Sequence, residues 1–213
     1  ALRLDPRDAD VHNGLGLLLE AQDHCDPAEK CYREALQLRK DFAQAHNNLG
    51  NVLQETGHYA EARQQFDEAL RLHEQAGGLA SGLATAHTNS ALLRLLLGDF
   101  EHGWPEYEWR WPAQRIVLRP FPQPRWDGSP LQGRTILLYT EQGLGDTIQF
   151  IRYAPLVKER GGTVVVECQP ALVGLLQTVP GIDSLLPRGA VLPPFDVHAP
   201  LLSLPGLFRT TAA

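Results

Sequence analysis

Methionine is absent from all 213 residues, and the chain opens on alanine. A natural start carries an initiator methionine unless it is processed away, so the sequence reads as a fragment of a longer protein. Cysteine is scarce. Cys25, Cys31 and Cys168 are odd in number and nowhere spaced CxxC, which speaks against a disulfide framework or a zinc site and fits structural thiols in a reducing cytoplasm. No apolar run reaches the roughly 18 residues of a spanning helix, and no signal peptide opens the chain. Basic excess is missing too. A net charge of −6 gives no support for nucleic acid or an anionic membrane as the main partner.

What is present, 43% hydrophobic and 21% charged residues, suffices for one or two globular domains. The first half is repetitive. Ala9–Lys40 and Ala43–Glu74 align at an offset of 34 residues, and a third copy from Ala84 follows 41 residues later, after an insertion of seven at Ala76–Gly82. In the second copy Leu49, Gly50, Leu53, Gly57, Tyr59, Ala62, Phe66 and Ala69 mark two helices joined by a short turn. Small residues there let helices approach, and large ones fill the space between them. The first copy matches with Leu15, Gly16, Leu19, Ala28, Tyr32 and Ala35; the third keeps phase through Gly98, Phe100, Gly103 and Tyr107.

This pattern resembles the tetratricopeptide repeat at its 34-residue period. The segments are the tail of one repeat, then 9–42, 43–83 with the insertion, and 84–111. The tail, Ala1–Pro6, implies an array entered midway. Such repeats stack into a superhelix whose first helices line a concave groove. In the arrays of O-linked N-acetylglucosamine transferases, asparagines one residue before the Leu-Gly position bind peptide backbone; Asn48 and Asn89 hold that place here, and Gly14 holds it in the first copy. The resemblance therefore implies a short peptide-binding ladder, with solvated groove residues as the alternative. His12, His46 and His87 also share one repeat position, but copies a repeat apart do not share one zinc ion, so no metal is expected.

Phe100–Trp111 is dense in aromatics, with Trp104, Tyr107 and Trp111 at i, i+3 and i+7 on one expected helical face. That stripe reads as core, the last repeat helix docking on the next domain. Residues 112–133, with Pro112, Pro120, Pro122, Pro124 and Pro130, read as an extended, stiff connector.

From Arg134 the pattern changes. Thr135–Tyr139 reads as a buried strand, EQGLGD as a glycine turn, Ile148–Val157 as a helix closed by Gly161–Gly162, and Thr163–Glu167 as a second strand. These elements form a βαβ unit with parallel strands. A short helix after Pro170, an edge strand at Ile182–Leu186 and another strand from Phe195 give about four strands of an open α/β sheet. Ligands of such sheets gather at the carboxyl ends of the strands, where EQGLGD sits.

Taken together, GDF..GW.EYEWRW, then W.G..L.G, then EQGLGDTIQFIRYAPLVKERGG, then FDVHAPLLSLP resemble bacterial tetratricopeptide-repeat proteins fused to a glycosyltransferase-like domain related to heptosyltransferases. The resemblance implies an all-α repeat superhelix followed by an incomplete Rossmann-like α/β domain over 134–213, the acceptor-side half of a GT-B fold. It implies that Asp146, after Gly145, is the catalytic base. It implies sugar transfer with inversion and without a metal or cofactor, the nucleotide-sugar donor binding only in the full-length parent. Gly143, Gly145, Gln149, Arg152 and His198 are the candidate substrate contacts. Asp196 and Ser203 are candidates to line the cleft beside His198, and a polar strand end is the plainer alternative.

Three readings of the loop stay open. Asp146 is a helix cap alone, or a cap that also does chemistry, or part of a dinucleotide site in which Gly143-Leu144-Gly145 holds a pyrophosphate and Glu167 a ribose. Against the last, Ile148 replaces the third glycine, and a carboxylate at the helix start competes with a pyrophosphate. At the level of the whole chain the alternatives are a sugar-transferase fragment with a protein- or peptide-binding groove, a non-catalytic interaction scaffold, and a small nucleotide-binding enzyme.

Overall fold

A computed structural model describes residues 7–76, 80–113 and 119–211. The opening tail Ala1–Pro6 and residues 77–79 of the insertion lie outside the described residues. The chain divides into two compact units, Ala1–Leu118 and Arg119–Ala213. The second unit therefore begins inside the segment that the prolines mark as a connector.

The first unit is all-helical: α1 (Ala9–Glu20), α2 (Cys25–Leu38), α3 (Ala43–Glu55), α4 (Tyr59–Gln75), α5 (Ala80–Leu96), α6 (Phe100–Tyr107) and α7 (Arg110–Ala113). Consecutive helices pair as antiparallel hairpins, and the turn inside each requires a left-handed residue. Gly57 and Gly98 supply it at φ 81°, while Asp23 takes the same place in the first repeat at φ 63°. Within each of the first two hairpins a glycine admits an aromatic ring. A Cβ on Gly16 would sit 2.5 Å from Tyr32 Cε1, and one on Gly50 would sit 2.5 Å from Phe66 Cε1. Tyr32 and Phe66 are fully buried with Leu49, Val52, Leu53 and Leu93, so one core runs across the repeats. In the third repeat Ala91 replaces that glycine and Tyr107, its counterpart, is only half-buried.

The seven-residue insertion is absorbed by helix. Relative to their counterparts, α4 gains three residues at its end and α5 gains four at its start. Gly82 lies in this extension, where a Cβ would meet His73 Cε1 of α4 at 2.7 Å.

The aromatic stripe differs from the single helical face that its spacing predicts. α6 ends at Tyr107, two residues after Pro105, whose ring nitrogen cannot donate into the helix. The chain turns through Glu108 and Trp109 before α7, which packs on α5. Trp109 stacks on His87 of α5 with centroids 4.3 Å apart. Arg110 is fully buried; it donates to the Tyr107 carbonyl and pairs with Glu108 at 2.8 Å, its guanidinium over the rings of Tyr107 and Trp111.

The second unit holds a small parallel sheet of β1 (Thr135–Tyr139), β2 (Thr163–Cys168), β3 (Ser184–Pro187) and β4 (Val197–Pro200), in the order β3-β2-β1-β4. Between β1 and β2 run α8 (Leu144–Phe150) and α9 (Ala154–Lys158), separated by a 3₁₀ turn at Ile151–Tyr153. The single helix expected there breaks because Pro155 has no N–H for the carbonyl of Ile151. α10 (Val173–Leu176) links β2 to β3, and α11 (Leu204–Leu207) follows β4. β1 and β2 are the apolar strands their sequences predict, with Ile136, Leu137, Leu138, Val164, Val165 and Val166 buried.

The segment 119–133 is part of this unit. His198 N donates to Pro124 O at 3.2 Å and Trp126 N to His198 O at 2.8 Å, so residues 124–126 pair with β4. Trp126 and Leu131 are buried, Trp126 against Phe208. Prolines are tolerated there because only the carbonyl of Pro124 is needed at this edge.

Candidate functional site

The loop Thr140–Gly143 leaves the carboxyl end of β1, in the middle of the sheet, and leads into α8. Gly143 is the helix N-cap, with an ordinary φ of −68°. Asp146 is therefore not the N-cap that the sequence reading makes it; it stands three residues on, its Oδ2 accepting from Gly143 N at 3.0 Å. No other described residue donates to it, and it is half-buried. A Cβ on Gly145 would meet nothing within 4 Å, so the space beside the loop is open.

Neighbouring strand ends fix the loop. Gln169, just past β2, donates to the carbonyl of Gln142 at 2.8 Å and accepts from Thr147 Oγ1 at 2.9 Å. Arg188, just past β3, donates to the carbonyl and, at 3.2 Å, to the hydroxyl of Thr140. Sequence reasoning missed Gln169, Thr147 and Arg188; their only signal is position, immediately after a strand or within the first turn of α8.

The other candidates are not gathered at Asp146. Gln149 and Arg152 are exposed, and Arg152 lies over its neighbour Tyr153 at 5.5 Å. His198 does not line an open cleft. It is buried beneath Phe121, with ring centroids 4.9 Å apart. Burial, and then the charge of Arg125, lowers its pKa below the usual histidine value. Asp196 accepts from Thr135 N at 2.7 Å, at the opposite end of the sheet from the loop, and Ser203 is buried and accepts from Arg125 at 3.2 Å. Glu167 is fully buried and ion-paired with Arg119, which removes it from the ribose-binding role of the dinucleotide reading.

In the repeat unit Asn48 is buried and donates to Asn13 Oδ1 at 3.0 Å. Asn89 donates to Asn47 Oδ1 at 3.0 Å and to Asn51 Oδ1 at 2.9 Å. Both expected groove residues thus join successive first helices to one another, rather than standing as solvated side chains. Each repeated histidine bonds a side chain on the second helix of its own repeat, His12 to Glu34 at 3.0 Å, His46 to Gln65 at 2.7 Å and His87 to Glu106 at 3.1 Å, and His46 also reaches back to the Lys40 carbonyl of the preceding repeat at 3.0 Å.

The first unit is all-helical and like an array of tetratricopeptide repeats, and its residues 41–102 match the family model of the tetratricopeptide repeat. Protein FlbA of Caulobacter vibrioides is 37% identical over 87 residues, 40% of this chain and 15% of that protein, so the chain spans only a small part of this relative's length. Among solved structures, PilF of Pseudomonas aeruginosa matches with a TM-score of 0.46 at 26% identity, over 53% of this chain and 49% of that one. The N-terminal domain of stress-induced protein-1 from C. elegans matches with a TM-score of 0.44 at 19% identity, over 50% of this chain and 84% of that one. Among the described residues no helix is long and apolar enough to cross a membrane.

Proposed function

We propose that this chain is an interaction module whose repeat unit receives a protein partner on the face of α1, α3 and α5. One row of residues carries the reading. Leu17 and Leu92 occupy the same repeat position on α1 and α5 and are 40% and 43% exposed, with Asn51 at that position between them. Single exposed leucines are ordinary, but two at one repeat position, with Asn51 between them, put apolar surface at both ends of one face and a polar group at its centre. Replacing Leu17 and Leu92 together by aspartate tests it. Proteins retained by the immobilised chain should be lost while the helical circular-dichroism signal stays; retention of the same proteins would refute the reading.

A second reading concerns the sheet unit, as the acceptor-side half of a sugar-transfer site in a longer parent. Its support is the placement of Asp146: a half-buried carboxylate at the carboxyl end of β1, one oxygen held by Gly143 and the loop clamped from two neighbouring strands. There Asp146 would take the proton of an acceptor hydroxyl as that oxygen attacks the anomeric carbon of a nucleotide-sugar held by a second domain, breaking the bond from that carbon to the phosphate oxygen and releasing the nucleotide. Asp146→Asn preserves the hydrogen bond from Gly143 and removes the base. In the full-length parent, turnover should fall by about 10²–10⁴ with the melting temperature retained. Unchanged turnover would leave Asp146 a structural residue of the helix start.

A further inference from the structure

One face of the sheet carries an unusual set of polar atoms. Tyr139 pairs in register with Glu167 and Leu137 with His198, so Tyr139, Glu167 and His198 project to the same side. The segment from Arg119 lies over that side. Its Phe121 ring sits 5.6 Å from Tyr139, 5.3 Å from Phe195 and 4.9 Å from His198, centroid to centroid, and the Arg119 guanidinium lies 5.1 Å above Phe121. Arg119 pairs with Oε2 of Glu167, whose side chain is 0% exposed against 39% for Arg119.

On this face and the segment over it three buried atoms have no partner: Oε1 of Glu167 on β2, Nδ1 of His198 on β4, and Oε1 of Gln123 on the segment. The His198 ring already bonds the Gln123 backbone, so in the neutral ring Nδ1 presents a lone pair. All three are therefore acceptors lacking a donor. Natural structures leave few such groups, because each costs its full desolvation. The complement of these three acceptors is a group rich in donors. Ammonium and guanidinium ions carry several donors and no acceptor, and Arg119 supplies a guanidinium to one of the oxygens. Aromatic rings around a carboxylate further favour a cation, through the negative faces of the rings.

We propose that the sheet unit carries a recognition site for a cationic amine or guanidinium ligand, built on Glu167, Gln123 and His198 with Phe121 and Tyr139 as walls, and filled here in cis by Arg119. Arg119 is the exposed member of the ion pair, so its side chain is the door. A ligand displacing it must itself bring positive charge, because a buried carboxylate stripped of its partner is strongly destabilising. The site is independent of Asp146 and of any transfer reaction.

The test uses the 213-residue chain and agmatine, which carries a guanidinium and an ammonium, with butanol as uncharged control. Arg119→Ala should bind agmatine at least tenfold more tightly than the parent in calorimetric titration, and butanol should bind neither. Adding Glu167→Gln should abolish that gain. Equal affinity of parent and Arg119→Ala, or a gain surviving Glu167→Gln, would overturn the proposal. Should Arg119→Ala fail to fold alone, millimolar agmatine is expected to restore the amide spectrum of the sheet, and failure to restore it would likewise overturn the proposal.

Discussion

Asn48 on α3 donates its side-chain amide to Asn13 on α1 at 3.0 Å, and Asn89 makes the same bond to Asn47 one repeat further along. The two bonds span 35 and 42 residues, so the inserted seven leave the pairing unchanged. Such a bond between side-chain amides ties one repeat to the next, and both Asn13 and Asn48 are buried. Asn48→Ala should therefore cost about 1–3 kcal/mol of stability, since it leaves the Asn13 oxygen buried and unpaired. Urea unfolding followed by circular dichroism measures this. A loss below about 0.5 kcal/mol, within the range of an ordinary surface change, would show that the amide faces solvent.

The left-handed turn gives a prediction of opposite sign. Asp23 holds φ 63° where Gly57 and Gly98 hold 81°. A left-handed side-chain-bearing residue carries a steric cost of roughly 1–2 kcal/mol, less for aspartate than for most. Asp23→Gly should raise the melting temperature of the repeat unit by a few degrees, corresponding to about 0.5–1 kcal/mol. A lower melting temperature would mean that the aspartate side chain contributes more than its backbone costs.

Gly50 should tolerate nothing larger. The added methyl of Gly50→Ala would lie 2.5 Å from Phe66 Cε1, in a packed core. Overpacking of this kind costs about 1–3 kcal/mol, against which the better helix propensity of alanine returns about 1. Combining it with Phe66→Leu should recover part of the loss. Additive losses in the double variant would show that the methyl and the ring do not compete for the same space.

The sheet unit should lose stability in mild acid. Burial, and then Arg125, holds the folded His198 pKa below the ordinary value of 6.5. Below that value the unfolded ring binds a proton that the folded ring resists. The unfolded state then carries more protons, and stability falls as pH drops; above about 6.5 this contribution is fully present. Amide exchange of β4 should accelerate between pH 7.5 and 5.5 relative to its intrinsic rate, and the acceleration should shrink in His198→Asn. An equally steep response in that variant would assign the acid sensitivity to other groups.

The repeats were legible because their packing is written in size. Gly16 and Gly50 face Tyr32 and Phe66 at a fixed offset, so small and large residues recur together. The parallel sheet was legible from two apolar β-branched runs and the glycines between them. The segment 119–133 was not. Alternating prolines have the same composition in a solvated linker and on a sheet edge that uses only their carbonyls, and the pairing of Pro124 and Trp126 with His198 is a contact over more than 70 residues. Burial of Glu167 was hidden for the same reason, since its partner Arg119 lay in that supposed linker. At the candidate loop, Gly143, Gly145 and Asp146 stood out by residue type, but Gln169 and Arg188 are ordinary polar residues whose role exists only once three strand ends converge.

The extension shared between α4 and α5 has a further consequence. Three residues added to one helix and four to the next bring the total to seven, close to two turns at 3.6 residues each. Three residues turn a helix by about 300° and four by about 400°, so the two additions together fall only about 20° short of two full turns. The array therefore keeps count in turns rather than in residues. Lengthening this hairpin by another whole turn in each arm leaves the faces aligned, whereas adding two residues to one arm swings its neighbours by about 200° and separates Asn89 from Asn47.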